Sequence, residues 1–156
     1  MSNQSDTTSS MSDDEAEVRA LYRNLLQAWN QQSAQGMAEQ FVDEGVTIGF
    51  DGSEMVGKQQ LESQLAAIFK DHQTGKYVGK VKEVIPLSPE VVLLRAISGI
   101  VPPGKSEIAP TKNALQTVVA RKAGDWRIAL YQNTPAQFHG RPELVKQMTT
   151  ELEQAR

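Results

Sequence analysis

Apolar residues recur at helical spacing in the first part of the chain. Val18, Leu21, Tyr22, Leu25 and Trp29 stand at positions i, i+3, i+4, i+7 and i+11. This spacing puts all of them on one face of a helix several turns long. Tyr22 and Trp29 are interpreted first as core residues. The alternative is that their polar tips point into a cavity.

Two serines mark predicted helix starts. Ser12, with Glu15 three residues later, fits a capping box, so we expect the first helix to begin there. Ser33 caps a second, shorter helix that we expect to end at Phe41.

A hairpin and a third helix follow. Asp51-Gly52 separates a short alternating strand, 46–50, from its return strand, 54–56, and this dipeptide is a strong hairpin signal. After Gly57, apolar residues again repeat at helical spacing, with His72 one turn further on the same side. The apolar residues of this third helix are Leu61, Leu65, Ile68 and Phe69.

The second half of the chain changes to the two-residue period of strands. We predict strands over 77–87, 91–101, 112–122 and 126–134, followed by a final helix that starts near Pro142. Short connections between long strands favour an antiparallel sheet. The order predicts one α+β domain, residues 13–156, with its helices gathered on one face of the sheet.

Arg95 is the one charged residue in the strand predicted at 91–101. A buried arginine without a partner is too costly. We therefore expect Arg95 to pair with Glu83 on the adjacent strand or to point outward.

Composition excludes several kinds of site. The chain has no cysteine, two histidines and a net charge of −3. Thiolate metal sites and disulfides are therefore excluded, and no basic patch suggests a nucleic acid or a membrane surface. We expect no metal and no cofactor, since no phosphate loop or dinucleotide fingerprint follows a strand. Residues 1–12 are polar and lack a signal sequence, so we expect a disordered tail on a cytoplasmic protein.

The last strand supplies the candidate pocket wall. By alternation, Leu130 and Gln132 share the apolar face, which we assign to the interior, while Tyr131 and Asn133 face outward. Tyr131 would then suit a dimer interface. A bulge between Gln132 and Thr134 would bring Asn133 inward instead. The two amides are expected either to bind a ligand oxygen or to satisfy buried backbone groups.

His72 is the candidate catalytic residue. A lone histidine beside an apolar helix face is more often a packed side chain than a catalyst. If it faces the cavity, it is the natural general base, because its ordinary pKa of about 6.5 is close to neutral pH.

Four motifs together resemble the nuclear transport factor 2-like, or SnoaL-like, superfamily, and within it the SgcJ/EcaC branch. They are Trp29-Asn30, Asp51-Gly52 with Gly57, the strand 126–134 with its Gln-Asn-Thr end, and Arg141-Pro142-Glu143. The resemblance spans residues 13–156. It implies a cone: a curved sheet wrapped around a helix, an apolar pocket inside, and a homodimer formed across the sheets.

The resemblance leaves three functions open, since this superfamily includes isomerases, dehydratases, cyclases and proteins that only bind. The acids that a carbon-acid isomerase would need are missing from strands 46–50 and 91–101. The leading hypothesis is a homodimer that binds a small hydrophobic molecule. An acid–base enzyme acting on a polyketide-like carbonyl compound is the second hypothesis, and a structural dimer is the third. The predicted pocket residues are Trp29, Phe41, Phe50, Phe69, Leu130, Gln132 and Asn133, with His72 as the catalytic candidate.

Overall fold

The computed structural model describes the backbone of residues 3–156 and the side chains of residues 12–156. Four α-helices and six strands follow one another along this part of the chain. Their bounds are α1 Asn3–Asn30, α2 Ala34–Ala38, β1 Phe41–Ile48, β2 Glu54–Val56, α3 Lys58–Asp71, β3 Lys76–Ser88, β4 Val91–Val101, β5 Ala114–Ala123, β6 Asp125–Pro135 and α4 Pro142–Gln154. Short 3-10 turns cover Pro110–Lys112 and Phe138–Gly140.

The strands form one curved, open sheet in the order β2-β1-β6-β5-β4-β3. Neighbours are antiparallel, as predicted, except that β1 runs parallel to β6. This parallel pair joins the N-terminal hairpin to the rest of the sheet. The predicted α+β cone is confirmed, with β2 and β3 at its two edges.

Helix α1 lies across the inner face of the sheet because its apolar stripe is continuous. Val18, Leu21 and Leu25 are buried in the same cluster as the inner residues Leu94 and Ile128. Burial of such side chains is worth about 1.5–3 kcal/mol each. The helix is therefore held to the sheet mainly by apolar contact.

The start of the chain differs from the prediction. Helix α1 begins at Asn3, so Ser12 and Glu15 lie within it, and the capping box predicted there is wrong. The disordered tail predicted for residues 1–12 stays a prediction; residues 1 and 2 and the side chains of residues 3–11 lie outside the described part.

The short second helix is real, but it ends before Phe41. Ser33 Oγ accepts a hydrogen bond from the Gly36 amide at 3.0 Å, so the predicted cap is confirmed. The helix stops at Ala38, and Phe41 is the first residue of β1. Phe41 is 1% exposed and belongs to the main core.

A bulge in β6 reverses the predicted facing of its last residues. Val119 pairs with Leu130 and Ala120 pairs with Ile128, so Ala129 is an extra residue in β6. Trp126 and Ile128 face inward as predicted. Beyond the bulge the alternation is shifted by one residue.

A second cluster covers part of the outer face. Ile97, Ile108, Met148 and Leu152 are buried there beneath α4. Glu151 of α4 is paired with Lys80 at 2.9 Å and with Lys82, both on β3. Arg95 is paired with Glu83 at 2.9 Å, as expected from the sequence.

Candidate functional site

A cavity of about 330 Å³ opens on the inner side of the sheet, beside α3 and the hairpin. Its volume lies near the lower end of the range typical of small-molecule sites, about 300–1,000 Å³. Apolar side chains form most of its wall. They are Trp29, Met37, Ile48, Phe50, Met55, Leu65, Ile68 and Ile100.

Trp29 is held rigidly in this wall. Its ring meets Phe69 edge-on at a centroid distance of 5.3 Å, and it meets Tyr77 at 5.4 Å. Its Nε1 donates to the Gly75 carbonyl at 2.9 Å. The indole therefore presents its ring to the cavity and has its polar atom satisfied elsewhere.

Asn30 fixes the neighbouring tyrosine. Its Oδ1 accepts from the Tyr77 amide at 2.7 Å, and its Nδ2 donates to the Tyr77 carbonyl at 3.1 Å. The end of α1 thus anchors the start of β3. The Trp29-Asn30 pair that the sequence singled out positions the aromatic wall through both of its side chains.

A buried hydrogen-bond network borders the cavity. Gln116 lies at its centre, 1% exposed, on the inner face of β5. Tyr22 Oη donates to Gln116 Oε1 at 2.5 Å. Gln116 Nε2 in turn donates to Tyr131 Oη at 2.7 Å and to Asn133 Oδ1 at 2.6 Å.

These bonds fix the direction of the remaining protons. Because Asn133 Oδ1 accepts from Gln116, the Asn133 amide has its Nδ2 left as a donor. Tyr131 Oη likewise accepts from Gln116, so its own proton is left to donate. Tyr77, Tyr131 and Asn133 all line the cavity.

Burial keeps the network's phenols neutral. Desolvation raises the pKa of Tyr22, Tyr77 and Tyr131 above the ordinary value. The neighbouring phenols add to this effect for Tyr22 and Tyr131, because two phenolates in one buried site would repel each other. At neutral pH the three side chains are therefore hydrogen-bond donors and acceptors, not anions.

The charged residues that line the cavity lie at its mouth. Asp51 Oδ1 accepts from the Ser53 amide at 2.9 Å and from the Ser53 hydroxyl at 2.7 Å. These bonds lower the pKa of Asp51, so it is ionised and a weak base at neutral pH. Lys112 stands over the Phe50 ring at 5.8 Å. Asp51 and Lys112 are both exposed.

Three of the predicted pocket residues line this cavity: Trp29, Phe50 and Asn133. Phe69 packs behind Trp29, and Phe41 lies in the core.

Leu130 and Gln132 lie on the outer face, contrary to the prediction. The bulge at Ala129 shifts the alternation, so that Tyr131 and Asn133 are buried and the residues beside them turn away. The interpretation of Tyr131 as a dimer-interface residue is wrong for the same reason, since it is 4% exposed within the main core.

The structure places His72 outside the cavity. It is the exposed C-cap of α3, where its carbonyl accepts from Gln32 Nε2 at 3.2 Å. The helix ends at Asp71, so the helical spacing that put His72 on the apolar side no longer applies. His72 is not among the residues that line the cavity.

Sequence reasoning missed Gln116 and Tyr77. Gln116 was visible as a polar residue among inward-facing positions of β5, next to Ala114 and Val118. An amide at a core position in such a strand indicates a buried network. Tyr77 carried no comparable signal, because its role depends on the clamp from Asn30.

No helix among residues 3–156 is long and apolar enough to cross a membrane. No cluster of potential metal-binding side chains is present in the described part of the chain.

Comparisons with known proteins agree with this architecture. Many solved structures are similar to the chain, and three of them illustrate the match. A domain of unknown function with a cystatin-like fold from Nostoc punctiforme is 23% identical, with a TM-score of 0.76, covering 91% of this chain and 98% of that one. A ketosteroid isomerase-like protein from Erwinia carotovora is 20% identical, with a TM-score of 0.62, covering 80% and 97%. An NTF-2 like protein of unknown function from Shewanella oneidensis is 17% identical, with a TM-score of 0.59, covering 79% and 98%.

At these identities the three structures show the fold alone. No curated protein matches the chain. The model of the SnoaL-like domain matches residues 18–136, which include the inner face of the sheet, α2, α3 and the cavity. The chain therefore belongs to the SnoaL-like family.

Proposed function

We propose that the protein binds a compact, mainly apolar small molecule whose inner end carries an oxygen that accepts hydrogen bonds. The observation that supports this most directly is the way Gln116 orients two side chains of the cavity wall. Gln116 Nε2 donates to Asn133 Oδ1 and to Tyr131 Oη, so Asn133 Nδ2 and the Tyr131 hydroxyl proton remain as donors for a ligand. A carbonyl oxygen matches this arrangement.

The rest of the cavity wall would contact the apolar part of the ligand. Trp29 and Phe50 offer aromatic surface, and Ile68 and Ile100 offer aliphatic surface. Apolar walls with a few convergent polar groups are typical of small-molecule sites. The hypothesis of a purely structural dimer assumed a pocket filled by its own side chains, and the cavity does not fit that assumption.

Fluorescence of Trp29 can test the proposal. The chain has two tryptophans, so a Trp126→Phe variant keeps Trp29 as the sole reporter at the cavity wall. Matched probes are an aromatic ketone and the hydrocarbon of the same shape. We expect saturable quenching by both, with the ketone bound about tenfold more tightly, the value of one hydrogen bond to a buried donor.

Two variants complete this experiment. Asn133→Leu removes one cavity-lining donor, and we expect it to abolish the preference for the ketone. Gln132→Leu is the matched control: it removes an amide from the outer face and is expected to leave both affinities unchanged. Failure of every apolar probe to bind, or equal effects of the two variants, would refute the proposal.

Three finer predictions go beyond the shared fold: the SgcJ/EcaC branch, acid–base catalysis and a homodimer in the cytoplasm. For the homodimer, the outer face of the sheet supports the proposal, because it exposes Leu115. A monomer mass in sedimentation equilibrium would contradict it. For catalysis, the ionisable side chains that line the cavity besides its tyrosines are Asp51 and Lys112 at the mouth, so a base-dependent reaction has little support from the geometry.

A further inference from the structure

A second concave site lies on the surface between α1 and the edge strand β3. It has a volume of about 650 Å³ and is separate from the cavity. Arg19, Arg23 and Gln27 line it from the helix, while Gly79 and Val81 line it from the strand. We call this site the edge groove.

The edge groove contains backbone groups of an unpaired strand edge. Strand β3 pairs with β4 on one side and ends the sheet on the other. Both backbone groups of Tyr77 are bonded to Asn30 and so point away from β4. Alternate residues of an edge strand share this direction, so Gly79 and Val81 direct their N–H and C=O groups into the groove.

The charge of the edge groove is positive. Arg19, Arg23 and Lys76 line it, and none of its lining residues is acidic. Arg19 is bonded to Glu15 at 3.1 Å, but both side chains are more than 40% exposed, so this pair holds the arginine weakly. The groove is thus a cationic region on a chain with a net charge of −3.

The floor of the edge groove is apolar and close to the strand. Tyr22 and Leu26 form it on the helix side. A methyl group on Gly79 would lie 2.4 Å from Leu26 Cδ1 and 2.6 Å from Tyr22 Oη, so only glycine permits this approach. The helix side of the groove therefore combines an apolar floor with two arginines, and the strand edge lies beside it.

We propose that the edge groove binds an extended acidic peptide segment of a partner protein, which adds as a strand to the free edge of β3. Alternating donors and acceptors on the strand edge match a peptide backbone. Side chains of an added strand alternate between two faces, so acidic residues on the face towards α1 would meet Arg19 and Arg23.

Two other occupants fit less well. A small anion would satisfy the arginines, but the carbonyls of Gly79 and Val81 would face it unfavourably. A second copy of the chain, paired edge to edge, would bring Arg19, Arg23 and Lys76 close to the same cations of its partner. Like charges at an edge are a known means of preventing such pairing. The bulge between Val81 and Glu83 limits the added strand to a few residues.

Three short capped peptides test the proposal against the full-length protein. The first alternates Glu and Val, the second has the same sequence with alternate amides N-methylated, and the third carries Lys in place of Glu. We expect the first to bind and to slow hydrogen exchange of the Gly79 and Val81 amides. The other two should bind at least about tenfold more weakly, because one lacks the strand hydrogen bonds and the other has the wrong charge.

Variants of the protein distinguish the contribution of charge to peptide binding from that of pairing with the strand edge. Arg23→Glu should weaken the acidic peptide, whereas Lys70→Glu, an equal charge change on the exposed side of α3, should not. Val81→Pro removes an outward N–H at an edge position where proline is tolerated, and it should abolish binding. If that variant fails to fold, the Arg23 and Lys70 pair still decides the question. Binding of the N-methylated peptide as tight as that of the first, equal effects of the two charge changes, or no binding of the acidic peptide would overturn the proposal.

Discussion

Replacing Gln116 by leucine should destabilise the protein more than the loss of one hydrogen bond implies. Leucine has nearly the volume of glutamine, so the change leaves little cavity. It removes three hydrogen bonds at once, from Tyr22 and to Tyr131 and Asn133. Tyr22 Oη is left as a buried donor without a partner, and Asn133 Oδ1 is left as an acceptor without one.

The size of this destabilisation follows from the two groups left without partners, Tyr22 Oη and Asn133 Oδ1. Each buried polar group that loses its partner costs about 1–3 kcal/mol. For the two groups together, we expect Gln116→Leu to lower the free energy of unfolding by about 2–6 kcal/mol. The matched control is Gln132→Leu, on the outer face of β6, where the side chain of Gln132 bonds to no other residue among 12–156. Its effect should stay within about 0.5 kcal/mol.

Urea denaturation measures both variants, with the midpoint expected to fall for Gln116→Leu at an unchanged slope. A double-mutant cycle sharpens the result. Tyr22→Phe removes the unpaired hydroxyl, so it should be destabilising in the original protein and nearly neutral, or stabilising, in the Gln116→Leu protein. If Gln116→Leu costs less than about 1 kcal/mol, or if Tyr22→Phe has the same effect in both proteins, the network is not a stabilising element.

Two further predictions concern pH and close packing. Burial raises the pKa of Tyr22, Tyr77 and Tyr131 above the ordinary value of about 10. Below that pH the tyrosines do not change the free energy of unfolding. Above it, the unfolded chain releases protons that the folded chain keeps, so the free energy of unfolding falls as pH rises. The fall is up to about 1.4 kcal/mol per pH unit for each tyrosine. Urea titrations at several alkaline pH values should show this fall and a smaller one in Tyr22→Phe; an equal fall in both proteins would contradict the assignment. Gly79→Ala should cost about 1–3 kcal/mol through its contacts with Leu26 and Tyr22, whereas Gly49→Ala, whose added methyl would have no neighbour closer than 3.4 Å, should cost less. Equal midpoints in thermal unfolding would refute the close approach.

Local sequence patterns predicted the elements of the fold well. The apolar stripe of α1, the Asp51-Gly52 hairpin and the Gly57 start of α3 all depend on neighbouring residues, and all were predicted. The parallel pairing of β1 with β6 was not predicted. It joins segments that lie far apart in the chain, and strand alternation carries no information about which strands become neighbours.

The site was harder to predict because it depends on one irregular residue. The sequence of β6 is compatible with regular alternation of inner and outer side chains from Trp126 to Thr134. Nothing in that pattern marks Ala129 as an extra residue. A single shift moves every later side chain to the other face. Consequently Asn133 reached the cavity and Gln132 did not. For His72, the error came from extending the period of α3 past Asp71, where the helix ends.

The bulge at Ala129 also bears on how this strand can change in length during evolution. Removal of one residue from a core strand normally exchanges its inner and outer faces. Here Ala129 has no pairing partner in β5. Its loss would therefore restore regular pairing of Ile128 and Leu130 with β5. Tyr131 and Asn133 would still face inward. The bulge is thus a position at which relatives can gain or lose one residue within the sheet and keep the same binding chemistry.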